Sequence, residues 1–117
     1  MLKRLHTAAA VCFASAAVFL SCTRSGPPPA PDSPSALSAR GKLVYQATCT
    51  ACHSSDPTKA GSLGPEIWGS SLELLEARIL RSEYPKGYTP KRNTHIMQPL
   101  PQVQKDIPAL QAYLNSH

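Results

Sequence analysis

Apolar residues recur at helical spacing in three stretches of the chain, all of them after residue 36. In the first stretch, residues 37–48, they mark one face of a helix. Its members are Leu37, Gly41, Val44, Tyr45 and Thr48. A glycine within a helix costs roughly 1 kcal/mol relative to alanine, so Gly41 indicates close approach by another helix. The pattern predicts a first helix over residues 37–48.

A second helix is predicted over residues 71–81. Its apolar stripe is formed by Leu72, Leu75 and Ile79. Ser70 precedes this stripe, and Glu73 lies three residues after Ser70, which is the spacing of a capping box. Ser70 is therefore predicted as the N-cap, with Glu73 reaching back to its backbone.

The third stretch, residues 101–115, predicts a last helix. Its apolar positions are Val103, Ile107, Leu110 and Leu114. Pro108 disturbs the pattern, because proline lacks an amide hydrogen and clashes with the preceding turn. It either kinks this helix or marks its true start. Three side chains are expected to pack on the Gly41 face of the first helix: Leu110, Tyr113 and Leu114.

The N-terminal residues 1–21 predict a secretory leader. Lys3 and Arg4 precede an apolar run over residues 8–20 that is short for a membrane span. The leader ends before Cys22 and resembles the lipobox of bacterial lipoproteins. That resemblance implies a lipid on Cys22 and a location on the periplasmic side of a bacterial membrane. Ordinary cleavage, which would leave a free thiol at Cys22, and an uncleaved anchor are the alternatives.

Residues 22–38 predict an extended tether, and residues 39–117 remain for one small domain. Proline fixes φ and removes a backbone donor, so a proline-rich stretch stays extended and unpacked. The prolines are Pro27, Pro28, Pro29, Pro31 and Pro34. A second proline-rich stretch, residues 83–101, predicts an irregular loop between the second and last helices.

Candidate chemistry is concentrated in Cys49-Thr50-Ala51-Cys52-His53. Two cysteines three residues apart, followed directly by histidine, form the attachment pattern for a c-type haem. Each thiol can add across a haem vinyl group, and His53 can bind the iron as the proximal ligand. A thioredoxin-like redox pair, half of a zinc site and a local disulfide are alternatives for a bare CxxC.

Met97 is the candidate for a second iron ligand. It lies in the long loop before the last helix, and it is the only methionine that remains if the leader is removed. A thioether is a suitable haem ligand, and His/Met ligation raises the reduction potential. His95 is the rival ligand, and His117 is a weaker one.

The ordered set of motifs over residues 39–115 resembles class I monohaem cytochromes c of the small bacterial type. The set is Gly41 to Tyr45, Cys49 to His53, Gly64-Pro65, Met97 with Pro99, and Leu110 to Leu114. The resemblance implies an all-α domain of about three to four helices around one covalent haem c. It also implies that the Pro65 carbonyl accepts a hydrogen bond from the proximal histidine, which fixes the tautomer of that ligand.

The expected function is one-electron transfer between exported or membrane redox partners by a monomer that is not an enzyme. The formal net charge is +5. A basic cluster is available either as a docking face for an acidic partner or as an ordinary solvated face. It contains Arg78, Arg81, Lys86, Lys91 and Arg92. Nucleic acid is not expected as a partner, since no binding motif is present.

Two other functional classes remain open from the sequence. A haem enzyme or a gas or redox sensor would have an open or displaceable sixth position, with His95 as a distal group. A tethered redox-thiol protein would use Cys49 and Cys52 without haem. Covalently bound haem would exclude the second class.

Overall fold

The computed structural model describes residue 26 and residues 30–116. Within these residues the chain forms three α-helices and one 3₁₀ helix, with no β-strand. They are α1 (Pro34–Thr48), α2 (Leu72–Arg81), the 3₁₀ helix (Pro101–Asp106) and α3 (Ile107–Leu114). The predicted all-α fold is confirmed. The leader, Cys22 and His117 lie outside the described residues.

Helix α1 begins at Pro34, earlier than the predicted start at residue 37. The Ser33 side chain accepts a hydrogen bond from the Ala36 amide at 3.2 Å and caps the helix. Pro34 lies in the first turn, where its fixed φ suits a helix and its missing N–H costs nothing. Residues 34–38, which the sequence assigns to the tether, are therefore helical.

The centre of the fold is the contact between α1 and α3. A side-chain carbon built on Gly41 would lie 1.9 Å from the carbonyl oxygen of Ala109 and 2.9 Å from the Tyr113 Cβ. The prediction that Gly41 marks a close helix approach is therefore confirmed. The largest fully buried side chains lie on these two helices: Tyr45, Leu110 and Leu114.

Helix α2 is capped by Ser71, and the prediction of a capping box starting at Ser70 is wrong. The Ser71 side chain accepts from the Leu74 amide at 3.2 Å. Ser70 instead donates its hydroxyl proton to the Ile67 carbonyl at 2.6 Å, which removes it from the capping position. Leu72, expected in the buried stripe, is 44 % exposed in the first turn. Leu75 and Ile79 are buried as predicted, together with Ala77.

The last predicted helix is divided in two. A 3₁₀ helix ends at Asp106, and α3 then begins at Ile107 with Pro108 in its first turn. A straight α-helix could not continue through Pro108, because the ring would clash with the carbonyl four residues earlier. Pro108 therefore marks a helix start, which is the second of the two predicted alternatives.

The segment between α2 and the 3₁₀ helix is irregular, as its prolines predict. The last residue of this segment contacts α2, since the Leu100 amide donates to the Ile79 carbonyl at 2.6 Å. None of the helices in the described part of the chain is long and apolar enough to cross a membrane.

Candidate functional site

A cavity of about 340 Å³ is lined by residues from all three α-helices and from the two irregular segments that flank α2, residues 49–71 and 82–100. Its volume falls in the range of roughly 300–1,000 Å³ that is usual for small-molecule sites, and its lining is mainly apolar. All five residues predicted to bind a cofactor line it: Cys49, Cys52, His53, Pro65 and Met97. His95, the rival to Met97, is exposed and is not part of this lining.

The two cysteines lie where α1 ends. The Cys49 amide donates to the Tyr45 carbonyl and closes the helix at 2.9 Å. The Cys49 carbonyl in turn accepts from the amides of Cys52 and His53, at 3.2 and 2.9 Å. This tight turn brings both thiols and the imidazole to one wall of the cavity. Both cysteines are half-buried, and neither forms a disulfide.

The imidazole of His53 is held by a backbone carbonyl. Its Nδ1 lies 2.8 Å from the Pro65 oxygen. Because a carbonyl can only accept, Nδ1 carries a proton, and in the neutral imidazole Nε2 keeps its lone pair for another partner. This is the orientation that a metal-binding histidine requires. The structure contains the hydrogen bond between His53 and Pro65. That this bond orients an iron ligand remains a prediction.

Two glycines give His53 its space, and the sequence reasoning did not assign them this role. A side-chain carbon on Gly64 would lie 2.4 Å from His53 Cε1, and one on Gly61 would lie 2.3 Å from the Cys52 carbonyl oxygen. The amides of Leu63 and Gly64 both donate to that same oxygen, at 3.2 and 2.9 Å. The loop therefore runs directly against the histidine. Two glycines within four residues, shortly after the CxxCH motif, were the available signal.

Tyr45 fixes the chain on the other side of His53. Its ring is fully buried, and its hydroxyl donates to the carbonyl of Ser54. Burial, followed by the nearby Cys49, Tyr113 and Asp56, raises the pKa of Tyr45 to about 12. Tyr45 thus remains a neutral donor well above neutral pH. Periodicity indicated only that this residue is buried, and the hydrogen bond was not predictable from it.

The thiol of Cys49 is poorly suited to redox cycling. Burial, followed by the neighbouring Cys52, raises the pKa of Cys49 to about 11. Reactive cysteines have lowered pKa values, because the thiolate is the nucleophile. Cys49 is therefore unfavourable as the attacking thiol of a redox pair.

Met97, in the loop before the 3₁₀ helix, also lines the cavity. Its side chain is half-buried. The Met97 carbonyl accepts a hydrogen bond from the Ser82 hydroxyl at 2.7 Å. Three residues later, the Leu100 amide is bonded to α2 as described above. The loop around Met97 is thus attached to α2 on both sides of Pro99.

Several basic side chains of the predicted docking face make contacts within the chain. Lys91 Nζ lies 3.0 Å from the Glu66 carbonyl oxygen and 3.2 Å from Glu66 Oε1. Arg92 donates to the Gly61 carbonyl at 3.2 Å. These contacts connect the Met97 loop to the loop that holds His53. The Glu66 carboxylate also offsets the charge of Lys91, so the cluster carries less positive charge than a count of its basic residues indicates.

A search of family models matches residues 38–117 to cytochrome c, so this chain belongs to the cytochrome c family. No curated protein and no solved structure shows a significant match. The domain is therefore a haem-binding electron carrier with a covalently attached haem c and its iron. The residues of the cavity fit this group, since two thiols, an imidazole nitrogen and a thioether line one apolar space.

Proposed function

We propose that this protein is a class I monohaem cytochrome c with His53 and Met97 as axial ligands. It would act as a monomer and carry single electrons between exported or membrane-bound redox proteins. The observation that carries the proposal is the shared cavity, in which both side chains are lining residues. When bound, the haem supplies a one-electron iron couple.

The proximal assignment to His53 rests on its orientation. The hydrogen bond from Nδ1 to Pro65 leaves Nε2 available, and the close approach of Gly64 restricts the ring. A hydrogen bond of this kind also raises the basicity of a ligating imidazole. His53 directly follows Cys52, as the attachment motif requires.

The assignment of the second ligand to Met97 rests on exposure. Met97 is half-buried and lines the cavity, whereas His95 is exposed and does not. His117 lies outside the described residues. With both axial positions filled by side chains, no substrate position is left, and an electron carrier is favoured over a haem enzyme or a gas sensor.

Replacing Met97 by alanine tests the ligand assignment, with His95→Ala as the matched control. We expect the oxidised wild type and His95→Ala to show the weak near-infrared band of Met-to-iron charge transfer. Met97→Ala should lose that band, and its reduced form should bind carbon monoxide promptly. Retention of the band in Met97→Ala, or its loss in His95→Ala, would reject the assignment. Prompt binding of carbon monoxide by the wild type would instead favour a sensor or an enzyme.

We further propose that the domain is held at the periplasmic side of a bacterial membrane by lipid on Cys22. The support is the order of the N-terminal sequence: two basic residues, an apolar run and a cysteine, followed by prolines. A tether before Ser33 would let one small domain reach several partners. An acidic redox protein that meets the remaining basic side chains is the expected kind of partner.

Incorporation of labelled fatty acid tests the anchor, and the chain offers a matched control in its other leader cysteine, Cys12. The full-length wild type and Cys12→Ser should both incorporate label, while Cys22→Ser should not. Haem attachment should be unchanged in all three proteins, since Cys49 and Cys52 are untouched. Absence of label in the wild type, or label in Cys22→Ser, would contradict lipidation at Cys22.

A further inference from the structure

Ser82 ends α2 in a conformation that suits glycine. Its φ is 55°, and it is the only non-glycine residue with positive φ among those that the structure describes. Glycine is the ordinary residue at such a helix end, because a side chain in the left-handed region is strained. The Ser82 amide caps the helix by donating to the Arg78 carbonyl at 3.1 Å. Glycine could make this backbone bond equally well, so the cap does not explain the serine.

The hydroxyl of Ser82 makes a contact that glycine could not make. It donates to the carbonyl oxygen of Met97 at 2.7 Å, across fifteen residues of sequence. A residue other than glycine in this conformation is a reason to look for a function of its side chain. Here that side chain reaches the residue proposed above as the second axial ligand.

Ser82 is itself braced by its neighbours. The Arg78 guanidinium donates to the Ser82 carbonyl, and it stacks over the Tyr84 ring at 4.2 Å from the centroid. Arg78 and Tyr84 both line the cavity. Ser82, the donor to Met97, is therefore held at the end of α2 by a residue that lines the cavity.

We infer that Ser82 is the positioning residue for Met97. Its hydroxyl holds the Met97 carbonyl, and thereby keeps the thioether directed into the cavity and slows its departure from the iron. This inference rests on the proposed function, because it takes Met97 as the ligand. This role differs from that of a simple helix cap, because it depends on the Ser82 hydroxyl and not on the backbone conformation.

The test compares Ser82→Gly with Ser82→Ala in the haem-loaded protein. Both variants remove the hydroxyl, but glycine relieves the left-handed strain and alanine keeps it. The measurements are the rate at which carbon monoxide binds the reduced protein, the near-infrared band of the oxidised protein and the denaturant midpoint. We expect carbon monoxide to bind roughly two- to tenfold faster in both variants, the factor that corresponds to one ordinary hydrogen bond.

The control is Ser116→Ala, which removes a hydroxyl that donates to the Tyr113 carbonyl at 2.9 Å on an exposed turn. Its carbon monoxide rate should equal that of the wild type. A purely structural role for Ser82 predicts a different pattern, in which the rate of carbon monoxide binding rises only in the variant with the lower denaturant midpoint. In that case Ser82→Ala would bind faster and Ser82→Gly would not, which would overturn the inference.

The wild type separates this inference from the ligand assignment. If the wild type shows the near-infrared band and both Ser82 variants bind carbon monoxide at the wild-type rate, Ser82 does not position Met97, although the assignment of Met97 stands. If the wild type lacks the band, the ligand assignment fails and the inference fails with it.

Discussion

Replacing Gly64 by alanine should prevent His53 from occupying its observed position. The added carbon would lie 2.4 Å from His53 Cε1 and 2.5 Å from Nδ1, closer than non-bonded atoms can approach. Gly64 is buried, and its amide is bonded to the Cys52 carbonyl, so the backbone cannot easily retreat. The ring would have to turn away from Pro65 and lose the hydrogen bond that orients it. We expect most of the correctly ligated haem protein to be lost.

The measurement is the yield of covalent haem per protein, together with the near-infrared band, in cells that contain the attachment machinery. Gly87→Ala is the matched control, because its φ is +82° but nothing lies within 4 Å of the added carbon. It should cost only the strain of a left-handed alanine, roughly 1–2 kcal/mol, and should keep normal haem. Normal yield and spectrum in Gly64→Ala would show that His53 is not held in the described way.

Replacing Gly41 by alanine should destabilise the whole domain. Alanine is a better helix former than glycine by roughly 1 kcal/mol, so local propensity alone predicts a gain in stability. The added carbon would lie 1.9 Å from the Ala109 carbonyl oxygen, however, and that backbone oxygen cannot move without α3. Overpacking of this kind typically costs 1–3 kcal/mol and occasionally more. A 1.9 Å approach to a backbone atom puts the cost at the upper end of that range, about 3 kcal/mol. After the gain of about 1 kcal/mol in helix propensity, we expect a net loss of about 2 kcal/mol, a large part of a total stability of roughly 5–15 kcal/mol.

Denaturant unfolding of the haem-loaded protein measures this loss. Lys42→Ala, at the next position of α1, is the control, because Lys42 is exposed and its replacement should change the free energy of unfolding by less than about 0.5 kcal/mol. A Gly41→Ala protein as stable as the wild type would mean that α1 and α3 do not cross as described.

Local patterns were sufficient to predict the order of the helices and the close approach at Gly41. They were not sufficient for helix boundaries, because neighbouring residues compete for the same role. Ser70 and Ser71 both have the chemistry of an N-cap. Ser71 is the cap because the Ser70 hydroxyl donates to the Ile67 carbonyl instead. A contact of this kind depends on how the preceding loop folds and leaves no trace in the spacing.

The candidate site was predictable to the same extent. The residues with distinctive chemistry, such as Cys49, His53 and Met97, stand out by type and order. The residues that hold them do not, because their contacts join distant parts of the chain. No motif marks Ser82 as a donor to Met97, or Tyr45 as a donor to Ser54.

The most direct test of the account is an absorption spectrum of the mature domain, produced with the haem-attachment machinery. It should be recorded in the oxidised and reduced states, with and without carbon monoxide. We expect a covalent low-spin haem, a weak near-infrared band from Met97 and no prompt change on adding carbon monoxide. A high-spin haem, or one that binds carbon monoxide at once, would contradict the assignment of Met97 and the function of a simple electron carrier.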